Sequence, residues 1–530
     1  MSQKILVGGA WPYANGSLHI GHLAGLLPGD VIARYHRAIL NEVYYVSGSD
    51  CHGTPVSIRA REEGVAPEKI SDRYHEEFVE VFRKLGFSYD VYGKTSQEEH
   101  KEFVRNFHRK LYKSAYVYGK VSRKAFCRQC DQFLADRFVE GLCPKCGESA
   151  RGDQCEACGA VLEPELLKEP ICAICGDRPI LQRTKHIYMA LGQLQKELQE
   201  LVDSHPHWRK NAIAFTNRYI EEGLRERALT RDLDVGIAAP KEGYEDKKIY
   251  IWAENVLGYL SMSKVAARQR GVEFDELWKG DNVRHYYVHA KDNIPFHTII
   301  LPALLLAEGS GYRLPDDIIS NEYQTLEGRK ISTSQNWAIW LKDMVDVYNP
   351  DAIRYFFLIN GPEKRDTDFS WNEFRKSNNG ELLGAYGNFV NRSLVFIHKY
   401  LDGKVPEGCM EIELEAEIHT LYEAVGELVA GGHLKDALEK IFAFIRKANK
   451  YFDTRAPWIT RTEDPNDCQN TLFTCVQVIA NLSVLLNPFL PFSSEKIQNW
   501  LQIGNIWEFI RIASGFVLPQ TEILFEKLEP

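Results

Sequence analysis

Eight of the chain's 12 cysteines lie between residues 127 and 175, and all eight fall in C-x-x-C pairs: Cys127/Cys130, Cys143/Cys146, Cys155/Cys158 and Cys172/Cys175. Two thiolates separated by two residues grip one metal from a tight knuckle, and two knuckles complete a tetrahedral site with no open position. Eight sulfurs therefore make two structural zinc sites, and so small a segment would hardly fold without them. Redox-active thiols and an iron–sulfur cluster fit this spacing less well. The two middle pairs are only eight residues apart, which joins them in one site; the outer pairs then close across the base of the same excursion. Joining first with second and third with fourth is the rival arrangement. Clustering of this kind points to zinc in a reducing compartment rather than to disulfides.

With 530 residues and 60.8 kDa, the chain is long enough for two to four domains. Its 44% hydrophobic and 26% charged residues exclude a disordered or fibrous protein. A formal charge of -9 excludes a uniformly basic surface but leaves room for a local groove that binds nucleic acid. The start, MSQKILVGGAWPYANG, lacks the apolar run of a signal peptide. The apolar runs at 299–307 and 475–490 are shorter than the roughly 18–20 residues of a membrane span. The expectation is a cytoplasmic protein without a membrane segment.

Before the knuckles the pattern is α/β. A strand at 5–9, a polar turn at 11–16, a helix from about 18 or 21 to 40 and a strand at 42–46 give strand, crossover, strand, the opening of a parallel sheet. Amphipathic helices are predicted at 72–85 and 97–115. Short strand-like pieces fill 117–180, and helix returns near 187–202 and 208–228. TRDLDVGIAAP, KIYIWAENVLGYL and RHYYVHAKDN read as strand ends and loops of a resumed α/β domain. Beyond about 345 the periodicity is helical, at 373–401, 411–427, 432–453 and 467–487, which makes a bundle. The tail, 515–530, reads as strand-like.

The first strand delivers Pro12, Tyr13, Asn15 and Gly16 to the carboxyl edge of the sheet, just before His19-Ile20-Gly21-His22. A helix starting at the two histidines presents free backbone N–H groups to phosphate. His19 and His22, three apart, share a helix face and suit a triphosphate whose transition state gains charge. Asp50, His52, Gly53, Thr54 and Pro55 follow the second strand and reach the same edge, where ligands bind in open parallel sheets. Further on, Arg231 and Asp232 precede Asp234, and Trp252, Glu254, Asn255 and Tyr259 form a strand-and-loop unit. His289, Lys291, Asp292, Asn293 and His297 make another polar cluster. Trp252 and Tyr259 can wall a small pocket whose occupant Asn293 or His297 senses. The glycine-led GRKISTS at 328–334 is a loop that can close over phosphates, with Lys330 as its cation.

These motifs resemble, along nearly the whole chain, the methionyl-tRNA synthetases of class I. PYANGSLHIGH resembles the first signature of that family, GSDCHGTP its second sheet-edge motif, and KISTS its mobile second signature, usually KMSKS. The knuckles resemble its connective insertion in the two-zinc form, where the inner four cysteines hold one metal and the outer four the other. The resemblance implies a Rossmann-type parallel-sheet core interrupted by a zinc-knuckle insertion and followed by an all-α anticodon-binding bundle. The corresponding divisions are a first core half (1–116), the insertion (117–230), a second core half (231–325), a signature-loop and stem-contact segment (326–370) and the bundle (371–530).

It further implies that methionine is activated by ATP, with Mg2+, to methionyl-adenylate and pyrophosphate, then passed to tRNA with release of AMP. His19, His22 and Lys330 would stabilise the phosphates, with Arg231 and Lys291 as helpers and Tyr13, Gly21 and Thr333 at the nucleotide. Asp50 would stand near the amino group. Ala10, Trp11, Tyr13, Trp252, Tyr259, Asn293 and His297 would line the amino acid pocket. Asn388, Arg392 and Trp458 would read the anticodon by hydrogen bonds and stacking. A monomer is expected. Three departures stand out: Thr333 replaces the second lysine of KMSKS, Glu254-Asn255 replaces an Asp-Ala pair, and Trp11 stands where many relatives have leucine, a larger ring expected to reshape the pocket. A ligase for another small amino acid, or a catalytically weak tRNA-binding paralogue, is the alternative reading.

Overall fold

The computed structural model describes residues 2–152, 154–155, 157–333 and 336–529. A five-stranded parallel sheet lies at its centre, in the order Asp317–Asn321, Val283–Ala290, Lys4–Gly9, Glu42–Ser49, Val91–Lys94. The first strand holds the middle position, and the chain winds first to one side and then, after a long excursion, to the other. Ligands bind beyond the carboxyl ends of strands at such a reversal. Ile5, Leu6, Val7, Val43, Tyr44, Tyr45 and Val46 are buried, as expected for strands covered on both faces. The second strand runs on to Ser49, so Asp50 lies at its very end.

The excursion begins as a two-stranded antiparallel ribbon, Val117–Cys127 against Ile180–Met189, in register from Val117↔Met189 to Phe126↔Ile180. At its far end sits a three-stranded sheet of Val139–Leu142, Ser149–Arg151 and Lys168–Cys172. The apolar interior of this cap is small: Leu134, Phe138, Val139 and Leu162 pack around buried Cys127, Cys143, Cys155 and Cys172.

Several predicted elements need correction. Residues 187–189 complete a strand, and the helices that follow are Gln195–Asp203 and Lys210–Glu221. The stretch read as strand and loop around Trp252 is helical: Ile251–Glu254, a 3-10 turn Asn255–Leu257 and Gly258–Arg270. Nearly every side chain from Ile251 to Ser263 is buried, so the helix has no polar face to reveal its period. Helix Thr54–Glu63 was not foreseen; it buries only Thr54, Pro55, Val56 and Ala60. In the tail the single β-interaction among the described residues is an isolated bridge, Lys404↔Val517.

The helical region contains Ile412–Ala430, Leu434–Arg455, Pro457–Glu463, Pro465–Leu486 and Pro491–Leu501, preceded by a nearly continuous helix from Trp371 to Tyr400. Pro465–Leu486 is long and apolar enough to cross a membrane by composition, but 89% of that window is buried against its neighbours. It is the core helix of the bundle. The bundle is fastened to the sheet through Arg354 on helix Pro350–Ile359, whose side chain is fully buried. Its guanidinium donates to Asp30 Oδ2 at 2.7 Å and to the carbonyls of Leu85, Pro488 and Phe489 at 3.1, 2.9 and 2.8 Å.

Candidate active site

Helix Ile20–Ala38 starts with two imidazoles in place of the usual hydroxyl or carboxylate cap. The Gly21 N–H donates to His19 Nδ1 and the His19 N–H to His22 Nδ1, both at 3.1 Å, a reciprocal capping box. Both Nδ1 atoms are acceptors, so each neutral ring carries its proton on Nε2. Burial lowers the His22 pKa to about 4 and, with the neighbouring His22, holds His19 well below the usual range. The rings lie 3.9 Å apart. Gly21 is required here: a Cβ would come within 2.9 Å of the His19 ring.

The second signature packs onto this helix start. Arg329–Lys330 pairs with Gln324–Leu326, and Ser332 and Trp337 exchange backbone hydrogen bonds. Arg329 lies over the Trp337 ring at 4.3 Å. The returning limb hydrogen-bonds to the first signature: Ile20 N–H to the Ile339 carbonyl at 3.1 Å, and Leu341 N–H to the Leu18 carbonyl at 2.8 Å. The Ile331 side chain lies 3.6 Å from where a Cβ on Gly21 would stand. Lys330 is exposed. Thr333 accepts the Asn336 N–H, and Ser334 lies outside the described residues.

Asp50 is buried beside Tyr13, to which it is bridged through the backbone. Asn255 Nδ2 donates to its Oδ2 at 2.7 Å and the His52 N–H to its Oδ1 at 3.2 Å. His52 Nδ1 is paired with Glu254 Oε1. Burial and the Glu254 charge push Asp50 up to about 8.

On the other side of the first strand, the His297 Nδ1–H donates to the Asn293 carbonyl (2.9 Å), so its Nε2 accepts from the Tyr259 hydroxyl (2.7 Å). Burial holds His297 at about 4. His289 stacks on His297 at 4.2 Å. Trp252 stacks on Phe296 (3.5 Å, 4°) and meets Tyr13 edge-on at 6.4 Å. Ala10 is buried and Asn293 half-buried. Trp11 behaves differently from expectation. Its ring is 6% exposed and fills the space left by two glycines: a Cβ on Gly48 or on Gly258 would come within 2.4 Å of it. The extra volume of tryptophan is taken up beside Gly48 and Gly258.

Two predicted helpers are held by other partners. Arg231 is buried, donates to the Ala228 and Thr230 carbonyls, lies 3.7 Å from Glu163 and stacks on Tyr250 at 4.0 Å. Lys291 is clamped between Glu322 and Asp366 at 2.7 and 2.8 Å. A cleft of about 470 Å³ opens between helix Thr54–Glu63 and the insertion, bounded by Arg61, Phe138 and Asp234. The sheet-edge residues are not part of its lining.

The cysteines gather as the nested arrangement requires: Cys127, Cys130, Cys172 and Cys175 in one cluster, Cys143, Cys146, Cys155 and Cys158 in the other, with all sulfurs of each within 4.8 Å of one another. Neighbouring sulfurs stand 3.4 to 3.9 Å apart. A tetrahedron with metal–sulfur bonds of about 2.3 Å has edges of about 3.8 Å, whereas a disulfide needs about 2.05 Å. The donor set fits zinc.

On the bundle, Trp458 is 48% exposed. The Arg392 guanidinium lies 4.6 Å from the Phe452 ring and 5.9 Å from that of Trp458, and donates to Asp453 at 2.6 Å. Exposed Asn388 begins the same helix, Asn388–Tyr400, one turn earlier.

Residues 5–394 match the family described as tRNA synthetases class I (M), and residues 404–529 match the anticodon binding domain of methionyl tRNA ligase. A methionine--tRNA ligase of Bacillus anthracis (strain CDC 684 / NRRL 3495) is 54% identical over 509 residues, 95% of this chain and 93% of that protein. The chain belongs to the class I methionyl-tRNA synthetases. A relative from Bacillus mycoides (strain KBAB4), also a methionine--tRNA ligase, is 53% identical over the same extent. Among solved structures, Mycobacterium tuberculosis methionyl-tRNA synthetase in complex with methionyl-adenylate shares the fold, with a TM-score of 0.83, 23% identity and 99% of each chain covered.

Within this family framework, the structure brings His19, Gly21, His22 and the Lys330 loop together, Asp50 to Tyr13, and Trp252, Tyr259 and His297 into one wall. Sequence reasoning missed Phe296, and it placed His289 in the polar cluster without giving it a role. Phe296 sits one position before His297 and, at helical spacing in an apolar run, looked like core. Trp337 was missed because nothing local marks it as the residue that closes the signature loop.

Proposed function

We propose that the chain attaches methionine to its tRNA in two steps. The methionine carboxylate oxygen attacks the α-phosphorus of ATP, the bond from that phosphorus to the bridging oxygen breaks, and pyrophosphate leaves. The terminal ribose hydroxyl of the tRNA then attacks the adenylate carbonyl, and AMP leaves. Such chemistry needs positioned charge more than an acid–base residue. The observation that carries the reading is the joining of the two signatures: two neutral imidazoles with Nε2–H donors at a helix N-terminus, against which the Lys330 loop is packed.

In this reading His19 and His22 donate to the phosphates, and Lys330 reaches them from the loop, with Thr333 and Tyr13 at the nucleotide. Arg231 and Lys291 take part only if substrate draws them from their present partners. Asp50 receives the ammonium group, and Ala10, Tyr13, Trp252, Tyr259, Asn293 and His297 enclose the side chain. Mg2+ would accompany ATP, and two zinc ions would hold the insertion. The divisions at 116, 230, 325 and 370, a monomeric state and a cytoplasmic location complete the proposal.

ATP–pyrophosphate exchange with a panel of amino acids tests it. Exchange is expected with methionine, and Lys330→Ala is expected to lower it by about 10²–10³-fold. Exchange with another amino acid, or with none, overturns the methionine assignment. Separately, Trp458→Ala is expected to weaken aminoacylation of methionine tRNA about 5- to 150-fold, by loss of about 1–3 kcal/mol of base stacking, and to leave exchange unchanged. Equal loss of both activities would remove Trp458 from anticodon reading.

A further inference from the structure

Asn255 donates to Asp50, and its neighbour Glu254 pairs with His52, two residues beyond Asp50; these are the two residues that stand in place of the Asp-Ala pair the resemblance leads one to expect. The Asp50 carboxylate receives two hydrogen bonds among the described residues, one from the Asn255 amide and one from the His52 backbone. A carboxylate has about four acceptor sites, so it is under-supplied for a fully charged group. Glu254 is 0% exposed. One of its oxygens pairs with His52 and lies 3.9 Å from His100 Nε2. Its other oxygen, Oε2, is buried and without a hydrogen-bond partner among the described residues, as is His100 Nε2. His100 is fixed from its far side by the Ser261 hydroxyl at 2.8 Å. Two buried carboxylates thus flank His52, whose imidazole pairs with one of them, Glu254.

We propose that Glu254 and Asn255 are positioning residues for the substrate's ammonium group, acting through Asp50. Asn255 aims the carboxylate, and Glu254 makes its charged state depend on the arrival of a cation. The inference rests on the proposed function and deepens it. In the empty site Asp50 holds a proton, because burial and the Glu254 charge disfavour its anion. When the amino acid enters, that proton passes to solvent and the ammonium N–H groups donate to the carboxylate left behind. The other titratable groups facing this site are His52, whose pKa is raised despite burial by Glu254 and Asp50, the Cys51 thiol, His100, and Lys101, whose charge opposes protonation of His52 and His100.

The test uses the full-length enzyme. Wild-type kcat/KM for methionine in ATP–pyrophosphate exchange is expected to fall about tenfold per pH unit below about 8. Glu254→Gln removes the neighbouring charge and is expected to move that limb about one unit toward acid. Glu254→Asp keeps the charge and is expected to leave the limb in place. Asn255→Ala is expected to raise KM for methionine about tenfold with kcat within about twofold. Calorimetric titration with methionine at pH 7, in two buffers of different ionisation enthalpy, is expected to register about one proton released by wild type. If Glu254→Gln does not fold, Asn255→Ala and the proton count decide. An unmoved acid limb, an unchanged KM in Asn255→Ala or no proton release, in an enzyme that exchanges normally, overturns the inference alone. A wild type that exchanges with no amino acid overturns the functional reading beneath it.

Discussion

Elemental analysis of the purified chain is expected to return two zinc ions per molecule, and that of Cys155→Ala one. The inner and outer sulfur clusters share no ligand, so emptying the inner site leaves Cys127, Cys130, Cys172 and Cys175 intact. The effect on the cap is nonetheless large. Its interior holds few apolar side chains, and the buried cysteines are a substantial part of it. Structural zinc contributes about 10–16 kcal/mol in small zinc-dependent folds, more than that core can replace. Chelation is therefore expected to open residues 127–175 to proteolysis while the five-stranded sheet persists, and limited digestion followed by mass spectrometry reads both. A wild-type stoichiometry of one would break the nested assignment.

Arg354→Met is expected to cost about 3–5 kcal/mol, read as a fall in the urea midpoint, because it removes one of the two guanidiniums that compensate buried Asp30 and leaves buried carbonyls without a donor. Asp30 would keep Arg34 at 2.9 Å and the Ser88 donors, but the carbonyls of Leu85, Pro488 and Phe489 would lose their donor together. Burial pushes the Asp30 carboxyl up, yet Arg34 and Arg354 overcome it and hold it at about 2. A depressed carboxyl pKa stabilises the fold fully above its unfolded value of about 3.9, and the contribution fades as pH falls toward 2. The penalty of Arg354→Met should therefore be largest above pH 4. The double variant Asp30→Leu/Arg354→Met should recover little of the loss, since it also takes the carboxylate from Arg34 and from the Ser88 donors and still leaves the three carbonyls without Arg354.

What could be read in advance was local. Knuckle spacing is set by the reach of two thiolates across two residues, so the nested zinc clusters followed from the numbers 127 to 175. The first strand, crossover helix and second strand followed from an apolar run, a polar turn and another apolar run. Where burial is complete the signal vanishes: Ile251 to Ser263 is covered on all sides, and a helix without a polar face resembles a buried strand. Helix Thr54–Glu63 fails for the opposite reason, burying too little to show a stripe. At the site, His19 and His22 were legible as a pair. Their role as mutual caps depends on rotamers, and the engagement of Arg231 with Glu163 and of Lys291 with Asp366 depends on segments 68 and 75 residues away in the chain.

The tryptophan wedged between Gly48 and Gly258 imposes an order on sequence change. With the indole in place, alanine at either glycine meets ring atoms at 2.4 Å, a collision that a packed interior does not absorb. With leucine at position 11, alanine at 258 would have room, whereas alanine at 48 would still meet the Gly93 carbonyl oxygen at 2.6 Å. Epistasis is thus built into this corner of the core: positions 11 and 258 are coupled, so that enlarging residue 258 before residue 11 is trimmed should misfold the chain, while Gly48 is fixed by the neighbouring strand as well.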